Sequence, residues 1–108
     1  MKTAKLIVMY PTPTDVAIFE SRYANEHVPM AVEKLAGKTR FVANLITSAP
    51  GLEQAPYHRI AEVYFPSMRD LEECLSSPGG QETAAHAVEI SSGGAPVFLM
   101  AEAETFDF

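Results

Sequence analysis

Two stretches that read as β-strands are apolar at consecutive positions, and this constrains the fold more than any other feature. "LIVMY" (6–10) carries five apolar residues in a row, and "PVFLM" (96–100) and the shorter "NLI" (44–46) extend the pattern. Successive side chains of a strand point to opposite faces. Both faces of such a sheet are therefore apolar, and a single helical layer covers only one of them. The other face would be a large apolar patch on a monomer. A second copy, packed sheet against sheet about a two-fold axis, removes that exposure, so a homodimer is expected. The alternative is a cover of edge loops or of the C-terminal tail.

The order of elements narrows the fold further. "AKLIVMY" (4–10) reads as a short buried strand ended by Pro11 and Pro13. Thr14-Asp15 offers an N-cap, and a helical pattern runs to about Leu35, with Gly37 placed to close it. "RFVANLIT" (40–47) and "HRIAEVYF" (58–65) read as strands separated by a turn-rich loop. Ser67 and Asp70 occupy capping-box positions before a second helix, which "SPGG" (77–80) interrupts and "QETAAHAVEI" resumes. "PVFLMAEAETF" (96–106) is the last strand. Strand, helix, strand, strand, helix, strand is the ferredoxin-like βαββαβ pattern: an α+β domain over residues 1–108, with an antiparallel sheet and both helices on one face.

Charge and composition exclude several partner classes. The chain has 108 residues, enough for one core, and a net charge of −6, which disfavours nucleic acid and anionic membrane. "LIVMY" is too short for a signal core or a membrane span. Cys74 is the only cysteine, so there is neither an intrachain disulfide nor a cysteine metal cluster, and a reducing, cytoplasmic setting is expected. No glycine-rich phosphate loop follows a strand, and there is no HExxH; three scattered histidines are weak evidence for a metal, and neither a metal nor a cofactor is expected.

Within the first helix, "YANEHVP" (23–29) places a histidine on the apolar side and a proline two residues later. At about 100° per residue, Val16, Phe19, Tyr23, His27 and Met30 share one stripe, which should face the sheet. An imidazole there must satisfy two nitrogens or lose its charge. Pro29 has no N–H, and its ring presses on the carbonyl of Asn25, so a kink beside His27 is expected. A kink opens room against the sheet, lined by Phe19, Tyr23 and His27.

"YPTPTDVAIFESRYANEHVPMAVEKLAG" resembles the N-terminal signature of the EthD family: Tyr-Pro after the first strand, Asp before the helix, then Phe, Tyr, His-x-Pro and a closing Gly. "AEVYFPSMRDLEECLSSPGGQ" resembles its third strand and second helix. "KLAGKTR" departs from the Leu-Pro-Gly of the family at the helix end. The resemblance implies a dimeric α+β barrel. The family takes its name from a gene cluster for ethyl tert-butyl ether degradation that includes a cytochrome P450 system, and it is loosely labelled oxidoreductase-related. Related barrels serve isomerases, cyclases, cofactor-free monooxygenases and haem-handling enzymes, so fold analogy does not choose a reaction.

The remaining candidate groups sit on strands. Tyr10 ends the first strand and can offer a phenol near the helix start, or serve as a core aromatic. On the third strand, alternation groups His58, Ile60, Glu62 and Tyr64 on one face and Arg59, Ala61, Val63 and Phe65 on the other. If the first set faces the helices, Glu62 or Tyr64 meets His27 as a proton-transfer partner; otherwise Glu62 pairs with Arg59 or Arg40 at the dimer face. His86, on the alanine-rich "TAAHAV", is expected to be exposed or in a polar contact, and Cys74 to be inert packing.

Three functions follow from these residues. In the first, a cofactor-independent enzyme acts on a small hydrophobic or aromatic molecule, with His27 as acid or base, Tyr23 or Tyr64 orienting it, and Tyr10, Phe19, Met30, His58 and Glu62 lining the site. The second is an oxidoreductase or monooxygenase-accessory role, which the family resemblance alone implies. The third is a non-catalytic dimer that carries an apolar metabolite.

Overall fold

The computed structural model describes residues 2–108. Its elements are β1 (Thr3–Pro11), α1 (Val16–Arg22), a π-helical turn (Tyr23–His27), α2 (Val28–Lys34), β2 (Arg40–Leu45), β3 (Tyr57–Phe65), α3 (Met68–Ser76), α4 (Pro78–Ile90) and β4 (Val97–Ala103). The strands form one sheet in the order β2-β3-β1-β4, with every neighbouring pair antiparallel. This is the expected ferredoxin-like α+β fold.

Alternation along β1 and β3 fixes the two sheet faces. Ala4, Leu6, Val8 and Tyr10 are buried, as are Ala61, Val63 and Phe65. The register pairs Leu6 with Val63 and Val8 with Ala61, so these residues lie on one face, under the helices. Ile60, Glu62 and Tyr64 therefore point to the opposite face, beside Ile7 and Met9 of β1. There Glu62 accepts from Lys5 Nζ at 2.7 Å and from Asn44 Nδ2 at 3.2 Å. Tyr64 lies between Lys5 Nζ and the Arg40 guanidinium, 5.4 and 5.6 Å from its ring centre. Glu62 and Tyr64 consequently cannot partner His27; the sheet lies between them. His58 breaks the alternation, because the register shifts between Tyr10 and Pro11 and leaves it without a partner on β1.

The first helical rod begins as expected, with Asp15 Oδ1 accepting from the Ile18 N–H at 3.0 Å. Pro29 does not produce a simple kink. The chain instead forms one wide turn, in which the Val28 N–H donates to the Tyr23 carbonyl five residues back. That turn changes the inward stripe. In a uniform α-helix, residues four apart drift by about 40°. The wide turn takes up much of this drift, so the buried positions are Phe19, Tyr23, His27, Ala31 and Leu35, each four from the last. Val16 is 46% exposed and Met30 is only half-buried, so neither shares the stripe as the uniform rotation would have it. Gly37 has φ +90°, but Leu35 holds the cap position and Gly37 lies two residues beyond it.

The second rod breaks where "SPGG" lies. Ser77 closes α3 and opens α4, with its Oγ accepting from the Gly80 N–H at 3.0 Å. A Cβ at Gly80 would stand 1.9 Å from the Cys74 carbonyl oxygen, so only glycine allows the two helices to meet this closely. The buried line of α4 is Gly80, Thr83, Ala87 and Ile90, mostly small residues that let the helix settle against the first rod. Among the described residues, no helix is long and apolar enough to cross a membrane.

Candidate functional site

The spacing of four along the first rod stacks its rings. Phe19 and Tyr23 lie 5.6 Å apart at 16°, and Tyr23 and His27 lie 5.8 Å apart at 22°. Tyr10, from the end of β1, meets all three edge-on at 5.4, 5.5 and 6.1 Å. These are the offset and edge-to-face arrangements that ring quadrupoles favour. Tyr10, Phe19, Tyr23 and His27 are thus brought together.

His27 is 5% exposed, and both of its nitrogens are bonded. Nε2 meets the Tyr10 hydroxyl at 3.1 Å, and Nδ1 meets Nδ1 of His86 at 2.9 Å. The two imidazoles are parallel to within 8°, with centres 5.2 Å apart. A nitrogen separation so much shorter than the centre separation means that the rings join edge to edge. Nε2 of His86 then meets Glu26 Oε1 at 3.1 Å, and Arg22 holds the same carboxylate through Nη2 at 3.0 Å.

This chain of bonds has one consistent set of hydrogens when both imidazoles are neutral. Arg22, and then His86, hold the Glu26 carboxyl below the usual carboxylate range, so it is an ionised, accept-only group. His86 must donate from Nε2, which leaves its Nδ1 as an acceptor. His27 must then donate from Nδ1, which leaves its Nε2 to accept from the Tyr10 hydroxyl. Every hydrogen points outward, from Tyr10 toward Glu26.

Burial governs the ionisation of this group. It pushes the His27 imidazole down to about 4, with His86 adding to the shift, so His27 is neutral at neutral pH. Burial holds the Tyr10 phenol far above its ordinary range. It also raises Tyr23 to about 12, against the opposing charge of Arg59. Among the described residues, the Tyr23 hydroxyl is the buried side-chain polar atom without a hydrogen-bond partner.

Tyr10 and His27 reach a cavity between helices and sheet that is otherwise lined by apolar and small residues, including Leu6, Val8, Ala31 and Ala87. The cavity is small, about 30 Å³, and of the three residues expected to line a hollow here it carries His27 but neither Phe19 nor Tyr23. A cavity that admits benzene measures roughly 150 Å³. At rest the space suits a water-sized occupant. An open cleft of about 590 Å³ lies on the other sheet face, lined by Ile7, Met9, Ile60, Glu62 and Leu99 among others.

His58 takes a supporting place. It meets Glu20 Oε2 at 3.1 Å and touches Phe19 edge-on at 5.6 Å. Arg59 grips Glu20 through two bonds of 2.6 and 3.0 Å and lies 5.3 Å over the Tyr23 ring. This charged group braces the outer end of the ring column and does not line the cavity.

The polar contact expected of His86 is present, but sequence reasoning missed that His86 and Glu26 join the His27 site. Glu26 adjoins His27 in the chain, and His86 flanks the small-residue line of α4; these are the only local signals. Glu26, His86 and Glu89 can bring ligand atoms within 4.8 Å of one another. Arg22 already bridges both carboxylates and fills the place of a cation.

The fold and site define a ferredoxin-like protein with a buried Tyr–His pair between its sheet and helices. The EthD domain model matches residues 11–91, and the chain belongs to the EthD family. A curated relative, an uncharacterized 11.0 kDa protein in the thcB–thcC intergenic region of Rhodococcus erythropolis, is 32% identical over 91% of this chain and 93% of that protein. An EthD family protein from Bacillus halodurans superposes with a TM-score of 0.86 at 21% identity, over 96% of this chain and all of that one. A hydroxynitrile lyase from Passiflora edulis gives 0.69 at 17% identity, over 98% of each chain. More distant likenesses include SnoaB, a cofactor-independent oxygenase from Streptomyces nogalater (0.64, 15%, over 98% and 97%). Another is a dimeric ferredoxin-like protein from Jannaschia (0.68, 16%, over 94% and 99%). At such identities the structural likenesses show the fold alone.

Proposed function

We propose that this chain is a homodimeric, cofactor-independent enzyme that acts on a small hydrophobic or aromatic metabolite by acid–base chemistry at His27. The observation that carries this reading is the Nε2 of a buried, neutral His27, hydrogen-bonded to the Tyr10 hydroxyl at the wall of an otherwise apolar cavity. Tyr10 donates to a substrate oxygen or passes its proton to Nε2. Tyr23, itself backed by Phe19, holds the imidazole plane, and the apolar walls exclude water. The substrate enters by widening the cavity between α2, α4 and the sheet. The second copy covers the sheet face that carries Ile7, Met9, Ile60 and Leu99. Its support is the apolar character of that face and the dimeric description of the Jannaschia protein.

Fold likeness to an oxygenase and to a lyase does not choose between those reactions. The carrier reading needs the same cavity without proton transfer. Native mass spectrometry of freshly purified protein, followed by denaturing release, gives the bound molecule and hence the assay. Replacing His27 by Ala should then lower turnover by about 10²–10⁴-fold, with the dimer mass unchanged. Full turnover in that variant would refute acid–base chemistry at His27, whereas a bound molecule that neither protein converts would favour the carrier role.

A further inference from the structure

The Tyr10–His27 pair does not end in the core. Through His86 and Glu26 it reaches the surface, where Glu26 is close to half exposed and His86 is mostly covered. We propose that His86 and Glu26 complete a proton wire, Tyr10–His27–His86–Glu26, which carries a proton between the cavity and solvent. The inference rests on the acid–base reading of His27 and adds two residues that touch no substrate.

Three features of the geometry support a wire over a set of static bonds. The links are continuous, at 3.1, 2.9 and 3.1 Å. The coplanar imidazoles meet through like nitrogens, so a proton on one Nδ1 points straight at the lone pair of the other. The hydrogens all run one way, which is the arrangement a concerted shift requires.

The proton balance is simple. A substrate proton passes to the Tyr10 oxygen as the Tyr10 proton moves to His27 Nε2. The His27 Nδ1 proton moves to His86 Nδ1, and the His86 Nε2 proton moves to Glu26, which releases it to water. The substrate loses one proton, solvent gains one, Tyr10 ends neutral, and each imidazole ends as its other tautomer. A buried imidazole with no outlet would have to hold the added charge in an apolar site. The outlet removes that need. The reverse shift, which takes a proton from solvent at Glu26 and returns the Tyr10 proton to the product, resets the chain.

The charged and titratable groups around the wire are Tyr23 beside His27, and Arg22 and Glu89 around Glu26. Glu20, His58 and Arg59 stand behind Tyr23 at the far end of the ring column. Among the described residues, only Glu26 bonds the outward nitrogen of His86.

Long-range 1H–15N correlation NMR of the histidine side chains near neutral pH tests the wire without a substrate. In the unmodified protein, His27 should be protonated at Nδ1 alone and His86 at Nε2 alone. Glu26→Ala, at an exposed position that leaves the core untouched, should turn both rings into tautomer mixtures, although His27 is two bonds away. Glu26→Asp should restore the single pattern at least in part. A His27 that carries its proton on Nε2, or that keeps a single tautomer in Glu26→Ala, would overturn the wire. That outcome is distinct from failure of the acid–base reading, which is judged by turnover of the His27→Ala variant.

Discussion

One strand, β1, serves two different surfaces. Leu6, Val8 and Tyr10 face the helices and enclose a cavity of about 30 Å³, while Ile7 and Met9 line an open cleft of about 590 Å³ on the other side. The inner face holds the buried Tyr10–His27 pair. The outer face holds half-covered apolar residues around Lys5, Glu62 and Asn44, with no histidine among the cleft residues. The larger hole is therefore not the better candidate site. On the proposed reading, chemistry follows the small hole, where burial controls ionisation, and the large one is covered by a second copy.

The division can be broken most strongly at two adjacent residues. Leu6→Ala, in the inner core, should cost roughly 2–5 kcal/mol by urea unfolding, with a midpoint that does not depend on protein concentration beyond that of the parent. Ile7→Ala, one residue away, should cost about 1 kcal/mol at high dilution and should weaken the concentration dependence that a dimer confers. Equal costs and equal concentration dependence for the two variants would erase the distinction between the faces.

A somewhat smaller effect should appear with acid. The folded-state pKa of His27 lies below its ordinary 6.5, at about 4, so the unfolded chain binds more protons between those values. Stability is therefore complete above about pH 6.5 and declines as pH falls toward 4. The loss should approach roughly 3 kcal/mol, before Glu20 and Glu62, both held low by their partners, add their own losses at lower pH. His27→Gln should flatten the upper part of that curve. An unchanged slope between pH 6.5 and 4 in the variant would assign the acid sensitivity elsewhere.

Much of this was legible in the sequence, for local reasons. Prolines and an unbroken apolar run delimit β1, the Asp15 cap and the Ser77 break are short-range signals, and the EthD resemblance rests on contiguous residues. The illegible parts are long-range. Both faces of β3 carry apolar and polar side chains, so only its pairing with Leu6 and Val8 decides that Val63 turns inward and Glu62 outward. Pro29 marks a disturbed helix, but whether the chain kinks or widens is settled by packing, and the wide turn is what replaces Met30 by Ala31 on the inner stripe. His27 and His86 are 59 residues apart in the chain, and nothing local announces their bond.

The ionisation of His27 itself is the most direct test of where the chemistry lies. In a 1H–13C NMR titration of the imidazoles, the His27 resonance should stay at its neutral position as pH falls through 6.5 and move only near 4, without a separate transition between. A His27 that titrates near 6.5 would be a solvated surface group, and the inner face would lose its claim to the functional site.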